Sequence, residues 1–384
     1  MKVPLLDLKS QYNSIKTEID QAISRTVESQ NLILSQEVSD FEKEIAGYTN
    51  IPYAAGVASG TDALILALKA VGIRSGDRVI TTPFTFFATA ESISLLGAIP
   101  VFVDINPETY NIDPEKIEEF LRDTPRLRSG QAGQAKDEGR GTIKAILPVH
   151  LYGQCAEMSR IMEIAGKYDL KVVEDCAQAI GATYKGHQAG SFGSAGCFSF
   201  FPSKNLGGFG DGGMIVSSEE SLIDKIKSLR VHGSREKYIH DEIGWNSRLD
   251  SIQAAVLRVK LKMLDKWLDG RRKIASKYNE AFAGSDIITP KETGGNKHTY
   301  HQYTIAFDDR DGLLRHLNEK GIAARVYYPV PLHLQPCYKD LGFSAGSFPN
   351  SEKAAEEVLS LPVYPELSED KIEYIISTVK EFTK

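Results

Sequence analysis

The sequence predicts an α/β protein with a mostly parallel sheet, followed by a second, smaller α+β region. From residue 57 to about 217, short β-branched runs alternate with helical patterns, the signature of strands joined by covering helices. After Asp250 the pattern turns helical for about 30 residues, and a mixed stretch then runs to Lys384. The 384 residues, 42% hydrophobic and 25% charged, supply enough chain for one large domain and a smaller one.

The alternating elements appear in order as a helix-like TDALILALKAVG, then RVITTP, ESISLLGA, IPVFVDI, AILPVHLYG, SRIMEIAGKYDL, KVVEDCA, CFSFF and MIVSS. Between Leu121 and the strand at Ile143, the polar, glycine-rich stretch from Thr124 to Gly141 has no period and predicts an inserted surface loop. Beyond Asp250, Ile252, Ala255, Val256, Val259 and Met263 fall at helical spacing and predict one long connecting helix. The expected division is therefore 1–250 for the large domain, with its N-terminal helical segment, and 251–384 for the connecting helix and small domain.

A formal net charge of −6 and a pI near 5.8 argue against a broad basic face for nucleic acid or an anionic membrane, while leaving room for a small anionic ligand. No basic segment leads into an apolar one at Met1–Tyr12, and no stretch approaches the roughly 20 apolar residues of a membrane span, so a cytoplasmic location is expected. Cys155, Cys176, Cys197 and Cys337 lie far apart without metal-ligand spacing, which predicts buried thiols, no disulfide framework and no metal site.

The segment CFSFFPSKNLGGFGDGGMIVSS carries the most chemistry. Lys204 follows a strand and precedes a glycine cluster; most lysines are simply solvated, and only these neighbours raise it above that reading. Gly208, Gly210 and Gly213 satisfy GxGxxG, but they open onto the β-type run MIVSS and not onto a helix, which rejects a dinucleotide fingerprint. The same glycines suit a tight turn beside a bulky ligand. Asp175 ends the strand pattern KVVED, at the sheet edge where ligands bind, and a helix cap is its competing role. A carboxylate beside a pyridine nitrogen keeps that nitrogen protonated, so Asp175 and Lys204 are the two groups that a pyridoxal cofactor needs. Ser59, Gly60 and Thr61 stand directly before an amphipathic helix, where free N–H groups favour a phosphate, although such caps are common without any ligand.

Taken together, SGTDAL, TPFTFFATAE, PVHLYGQ, VEDCAQAIGA, SFFPSKNLGGFGDGG, NSRLDSIQAAVL and YYPVPLHLQP resemble the successive motifs of the DegT/StrS sugar aminotransferases, fold-type I enzymes dependent on pyridoxal 5′-phosphate. The resemblance spans nearly the whole chain. It implies a mostly parallel seven-stranded sheet in the large domain and a smaller C-terminal α+β domain. It further implies that Lys204 carries the cofactor, that Asp175 pairs with the ring nitrogen and that Gln178 contacts the ring hydroxyl oxygen. Gly60, Thr61 and Ser199, beside Ser59, would hold the phosphate, and Phe86 would stack on the ring; a core aromatic is that residue's ordinary alternative. Asn246 would reach the site of a second subunit, implying a homodimer with shared active sites.

The same resemblance implies glutamate as amino donor and a UDP- or dTDP-linked keto-sugar as acceptor. The spelling YPVPLH, from Tyr328 to His333, is similar to enzymes aminating C3, including those acting on UDP-linked 3-keto-N-acetylglucosaminuronate. Arg248, Tyr327 and Tyr328 would line the sugar pocket, a guanidinium suiting a carboxylate or diphosphate. The uronate enzymes place His-Tyr where this chain has Tyr327-Tyr328, and tyrosine offers hydrogen bonds without the positive charge. Amination at C4 of a 4-keto-6-deoxy sugar is the alternative. A dehydratase of this fold would replace the lysine by histidine, and a non-catalytic regulator would lose the Lys/Asp pair or carry a basic helix-turn-helix.

Overall fold

The computed structural model describes residues 1–124 and 141–383, so the loop expected between Thr124 and Gly141 falls, apart from its two ends, outside the described residues. Seven strands build the central sheet: β1 (Tyr53–Val57), β2 (Arg78–Thr81), β3 (Ile99–Phe102), β4 (Ile143–Ile146), β5 (Lys171–Asp175), β6 (Ala195–Ser199) and β7 (Gly213–Ser217). Their order is β1-β7-β6-β5-β4-β2-β3. Neighbours from β6 to β3 run parallel, and β7 runs antiparallel to both β1 and β6. The mostly parallel seven-stranded sheet is thus as expected.

Alternation along the strands explains why the sheet is buried on both faces. Val79, Ala145, Val173, Cys197 and Ile215 enter one hydrophobic cluster with Leu64, Leu66 and Leu68. Ile80, Ile146, Val172, Phe198 and Val216 enter the cluster on the other face, with Phe41 and Ile45. The leucines belong to helix α3 (Gly60–Ala70), which follows α1 (Lys16–Ser29) and α2 (Gln36–Thr49).

Strand β1 escaped the pattern reading, because YAAGV is mostly small residues of weak β-propensity and its place is fixed by pairing with β7. The long connecting helix is two helices, α4 (Ser251–Leu261) and α5 (Leu264–Phe282). Met263 N donates to Lys260 O at 2.9 Å, a tight closure that ends α4. The break lets Val256 of α4 and Trp267 of α5 share a cluster with Ile15 and Ile19.

The C-terminal region adds the antiparallel pair β8 (Tyr303–Ala306) and β9 (Val358–Leu361), with helices Arg310–Glu319 and Glu369–Phe382. Tyr278, Tyr303, Leu313, Leu359 and Ile375 form its own core, which Val3 from the N-terminus joins. Cys155, Cys176 and Cys197 are buried free thiols; Cys337, on the short turn Pro336–Leu341, is exposed, contrary to the expectation for all four. Among the described residues no helix is long and apolar enough to cross a membrane.

Candidate active site

The site grows from the adjacent carboxyl ends of β5 and β6. Asp175 closes β5 and is buried. Thr89 Oγ1 donates to its Oδ2 at 2.8 Å, and Ala177 N donates to its Oδ1 at 3.1 Å. Burial pushes the Asp175 carboxyl up from its ordinary value, opposed by those hydrogen bonds and by the Lys204 charge.

Lys204 sits on the loop after β6. Phe200 N donates to Gly212 O and Gly208 N to Phe200 O, both at 2.8 Å, so the loop is braced across its base. The rejected dinucleotide reading stays rejected, since Gly213 opens β7. Lys204 Nζ has no hydrogen-bonding partner among the described residues. Burial lowers the Lys204 amine to about 8, with the Asp175 carboxylate opposing. An amine so poised, beside a buried carboxylate, fits a group that needs both a nucleophile and an anion.

A cradle for an anion lies at the start of α3. Ser59 caps the helix by accepting from Asp62 N at 3.0 Å, leaving the N–H groups of Gly60 and Thr61 at the positive end of the helix dipole. Ser199, at the end of β6, lies so close that a Cβ at Gly60 would stand 2.5 Å from the Ser199 Cβ. Ser247 Oγ accepts from Ala58 N at 3.2 Å and donates to Asp62 Oδ2 at 2.7 Å, which ties the segment holding Asn246 and Arg248 to this turn. Asn246 itself is exposed, and among the described residues no hydrogen bond joins it to Lys204 of its own chain. Arg248 is half-buried, with no ion pair or hydrogen bond among the described residues.

Gln178 connects the site to the C-terminal region. Its Oε1 accepts from Tyr152 N at 2.7 Å, and its Nε2 donates to Tyr328 Oη at 2.9 Å. Burial raises the Tyr328 hydroxyl well above its ordinary value, so it stays protonated. Phe86 is 56% exposed, unusual for so large an apolar ring, and its centroid lies 6.2 Å from that of Tyr328. Tyr327 is half-buried beside it, its carbonyl accepting from Tyr152 Oη.

The structure adds residues that pattern reading did not single out. Thr89 and Tyr152 orient Asp175 and Gln178 from segments 86 and 26 positions away. His301 Nδ1 approaches Asn205 Oδ1 at 3.4 Å on the Lys204 loop, and burial together with the Lys204 charge keeps its imidazole neutral. His150, Glu174 and Cys176 lie within 4.8 Å of one another. Glu174, however, already accepts from His150 Nε2 and from the N–H groups of Gly190, Phe192 and Gly193, while His150 Nδ1 accepts from Ala156 N. Those atoms are committed to fixing the segment behind Asp175.

Residues 13–380 match the DegT/DnrJ/EryC1/StrS aminotransferase family. The chain is 47% identical to a pleiotropic regulatory protein of Geobacillus stearothermophilus, across 100% of this chain and 99% of that one. It is 43% identical to the UDP-N-acetyl-3-dehydro-α-D-glucosamine 3-aminotransferase of Acidithiobacillus ferrooxidans, across 98% and 97%. The crystal structure of a DegT/DnrJ/EryC1/StrS aminotransferase from Brucella abortus superposes with a TM-score of 0.93 at 39% identity, covering 99% of each chain.

Proposed function

The chain belongs to the DegT/DnrJ/EryC1/StrS aminotransferase family, and from that membership we propose that it moves an amino group from glutamate to C3 of a UDP- or dTDP-linked keto-sugar. The observation that carries this reading is the pairing of the Lys204 amine, lowered toward neutrality and with no hydrogen-bonding partner for its Nζ among the described residues, with buried Asp175 beside a capped helix N-terminus. The carbon and the UDP nucleotide follow the name of the Acidithiobacillus relative.

The cofactor is pyridoxal 5′-phosphate, which when bound supplies an electron sink that stores the amino group between donor and acceptor. The residues present fit it. Lys204 would anchor it, and its Nζ, once free, would move the proton between cofactor and substrate carbons. Asp175 would keep the ring nitrogen protonated, with Thr89 and the Ala177 N–H holding its carboxylate in place. Gln178 would contact the ring hydroxyl oxygen, and the exposed face of Phe86 would stack on the ring. Ser59, Gly60, Thr61 and Ser199 would hold the phosphate, completed by Asn246 from a second copy of the chain in a homodimer. Arg248, Tyr327 and Tyr328 would bind the sugar nucleotide; the Arg248 guanidinium, without an ion pair among the described residues, suits a diphosphate or carboxylate. This chemistry belongs in the cytoplasm, where nucleotide sugars and glutamate meet.

The regulatory name of the Geobacillus relative describes that protein; the retained Lys204 and Asp175 favour catalysis in this one. A panel of UDP- and dTDP-linked 3-keto and 4-keto sugars, assayed with glutamate and resolved by NMR, tests the proposal. Nitrogen on C3 supports it, nitrogen on C4 moves the enzyme to the other subclass, and no amination with any sugar overturns it.

A further inference from the structure

Helix α4 begins directly after the segment that holds Asn246 and Arg248, and its inner face carries two polar side chains aimed at the Lys204 loop. Gln253 and Lys260 are seven residues apart, two turns along one face. Gln253 Oε1 accepts from Phe209 N at 2.7 Å. Its amide fills the space where side chains at 208 and 210 would begin: a Cβ on Gly208 would meet Oε1 at 2.8 Å, and one on Gly210 would meet Nε2 at 2.9 Å. Lys260 is only 2% exposed, and its Nζ donates to Gly207 O at 2.6 Å while lying 4.8 Å from the centroid of the Phe209 ring.

A buried ammonium is costly to desolvate, and one carbonyl and one ring face satisfy only part of its three donors. The helix that presents it is itself held, since Arg258 pairs with Glu37, Asp40 and Glu44 of α2. Gly207 lies three residues beyond Lys204, inside the same loop that the bond from Gly208 N to Phe200 O closes. We propose that Gln253 and Lys260 are positioning residues that clamp Gly207–Gly210 from α4 and thereby set where Lys204 stands. The inference rests on the reading of Lys204 as the cofactor lysine.

The full-length holoenzyme carrying Lys260→Met tests this, with thermal melting and borohydride labelling as controls. Folded protein labelled at Lys204 is expected to lose about tenfold in kcat, with KM for the sugar nucleotide changed less than about twofold and an altered visible circular dichroism of the bound cofactor. Gly210→Ala, which pushes the Gln253 amide aside, is expected to shift the same two readouts, and Lys260→Arg to recover part of the loss. Wild-type kcat and visible dichroism in folded Lys260→Met overturn the proposal; should that variant not fold, the same result in Gly210→Ala does so. Wild-type enzyme labelled at a lysine other than 204 refutes the underlying reading instead.

Discussion

At the scale of single residues, the account turns on the half-buried Lys204 amine beside the buried Asp175 carboxylate. Burial brings the Lys204 amine to about 8, whereas an ordinary lysine becomes neutral only above about 10. Only the neutral amine attacks a carbonyl, so uptake of pyridoxal 5′-phosphate by the cofactor-free protein should rise with pH to a midpoint near 8. A midpoint above about 10, followed by stopped-flow absorbance, would show a solvated lysine. Asp175→Asn should keep the fold: one acceptor still meets Ala177 N, and the Thr89 hydroxyl can accept from the new amide while donating to Thr85. A neutral amide cannot hold a ring nitrogen protonated, so turnover should fall by roughly 100-fold or more. Near-normal turnover in folded protein would remove Asp175 from the chemistry. Both residues were legible because each stands in a local pattern, a strand end or a strand-lysine-glycine run. Thr89 and Tyr152 were not, since their partners lie 86 and 26 positions away and only the fold brings them together.

At the scale of elements, the proposed phosphate cradle depends on how closely α3 approaches the end of β6. Gly60→Ala would drive a methyl to 2.5 Å from the Ser199 Cβ, and a Cβ at Gly213 would meet Ser59 O at 2.2 Å, so the glycines fix this approach from both sides. Gly60→Ala is expected to cost about 1–3 kcal/mol of stability, read by chemical denaturation, and to weaken cofactor retention on dialysis. Unchanged retention would dissociate the cradle from the cofactor. Six of the seven strands could be read from β-branched or aromatic runs; β1 could not, because its alanines and glycine gain their strand geometry from β7. The break between α4 and α5 was equally hidden, since apolar spacing continues across Lys262 and Met263 and only the packing around Trp267 requires it.

At the scale of the whole molecule, the division proposed at residue 250 sets a sheet domain carrying Lys204 against a region that supplies Tyr327 and Tyr328. The exposed Asn246, not hydrogen-bonded to its own Lys204 among the described residues, is compatible with the proposed site shared between two copies. Lys204→Ala and Asn246→Asp chains, each inactive alone, should recover about a quarter of wild-type activity when mixed and reassembled, since random pairing makes half the dimers mixed and each has one intact site. No recovery, given severe impairment of Asn246→Asp alone, would contradict a shared site. The family could be read along the chain because each of its motifs lies within one short stretch, whereas a dimer was expected from the resemblance alone, because the contacts of such an assembly would belong to two chains. Everything above depends on Lys204 holding the cofactor, and that is tested most directly by reducing the purified enzyme with borohydride and mapping the modified peptide by mass spectrometry. The account predicts a single pyridoxyl group on Lys204, absent from Lys204→Ala; a group on any other lysine, or its persistence in that variant, would contradict it.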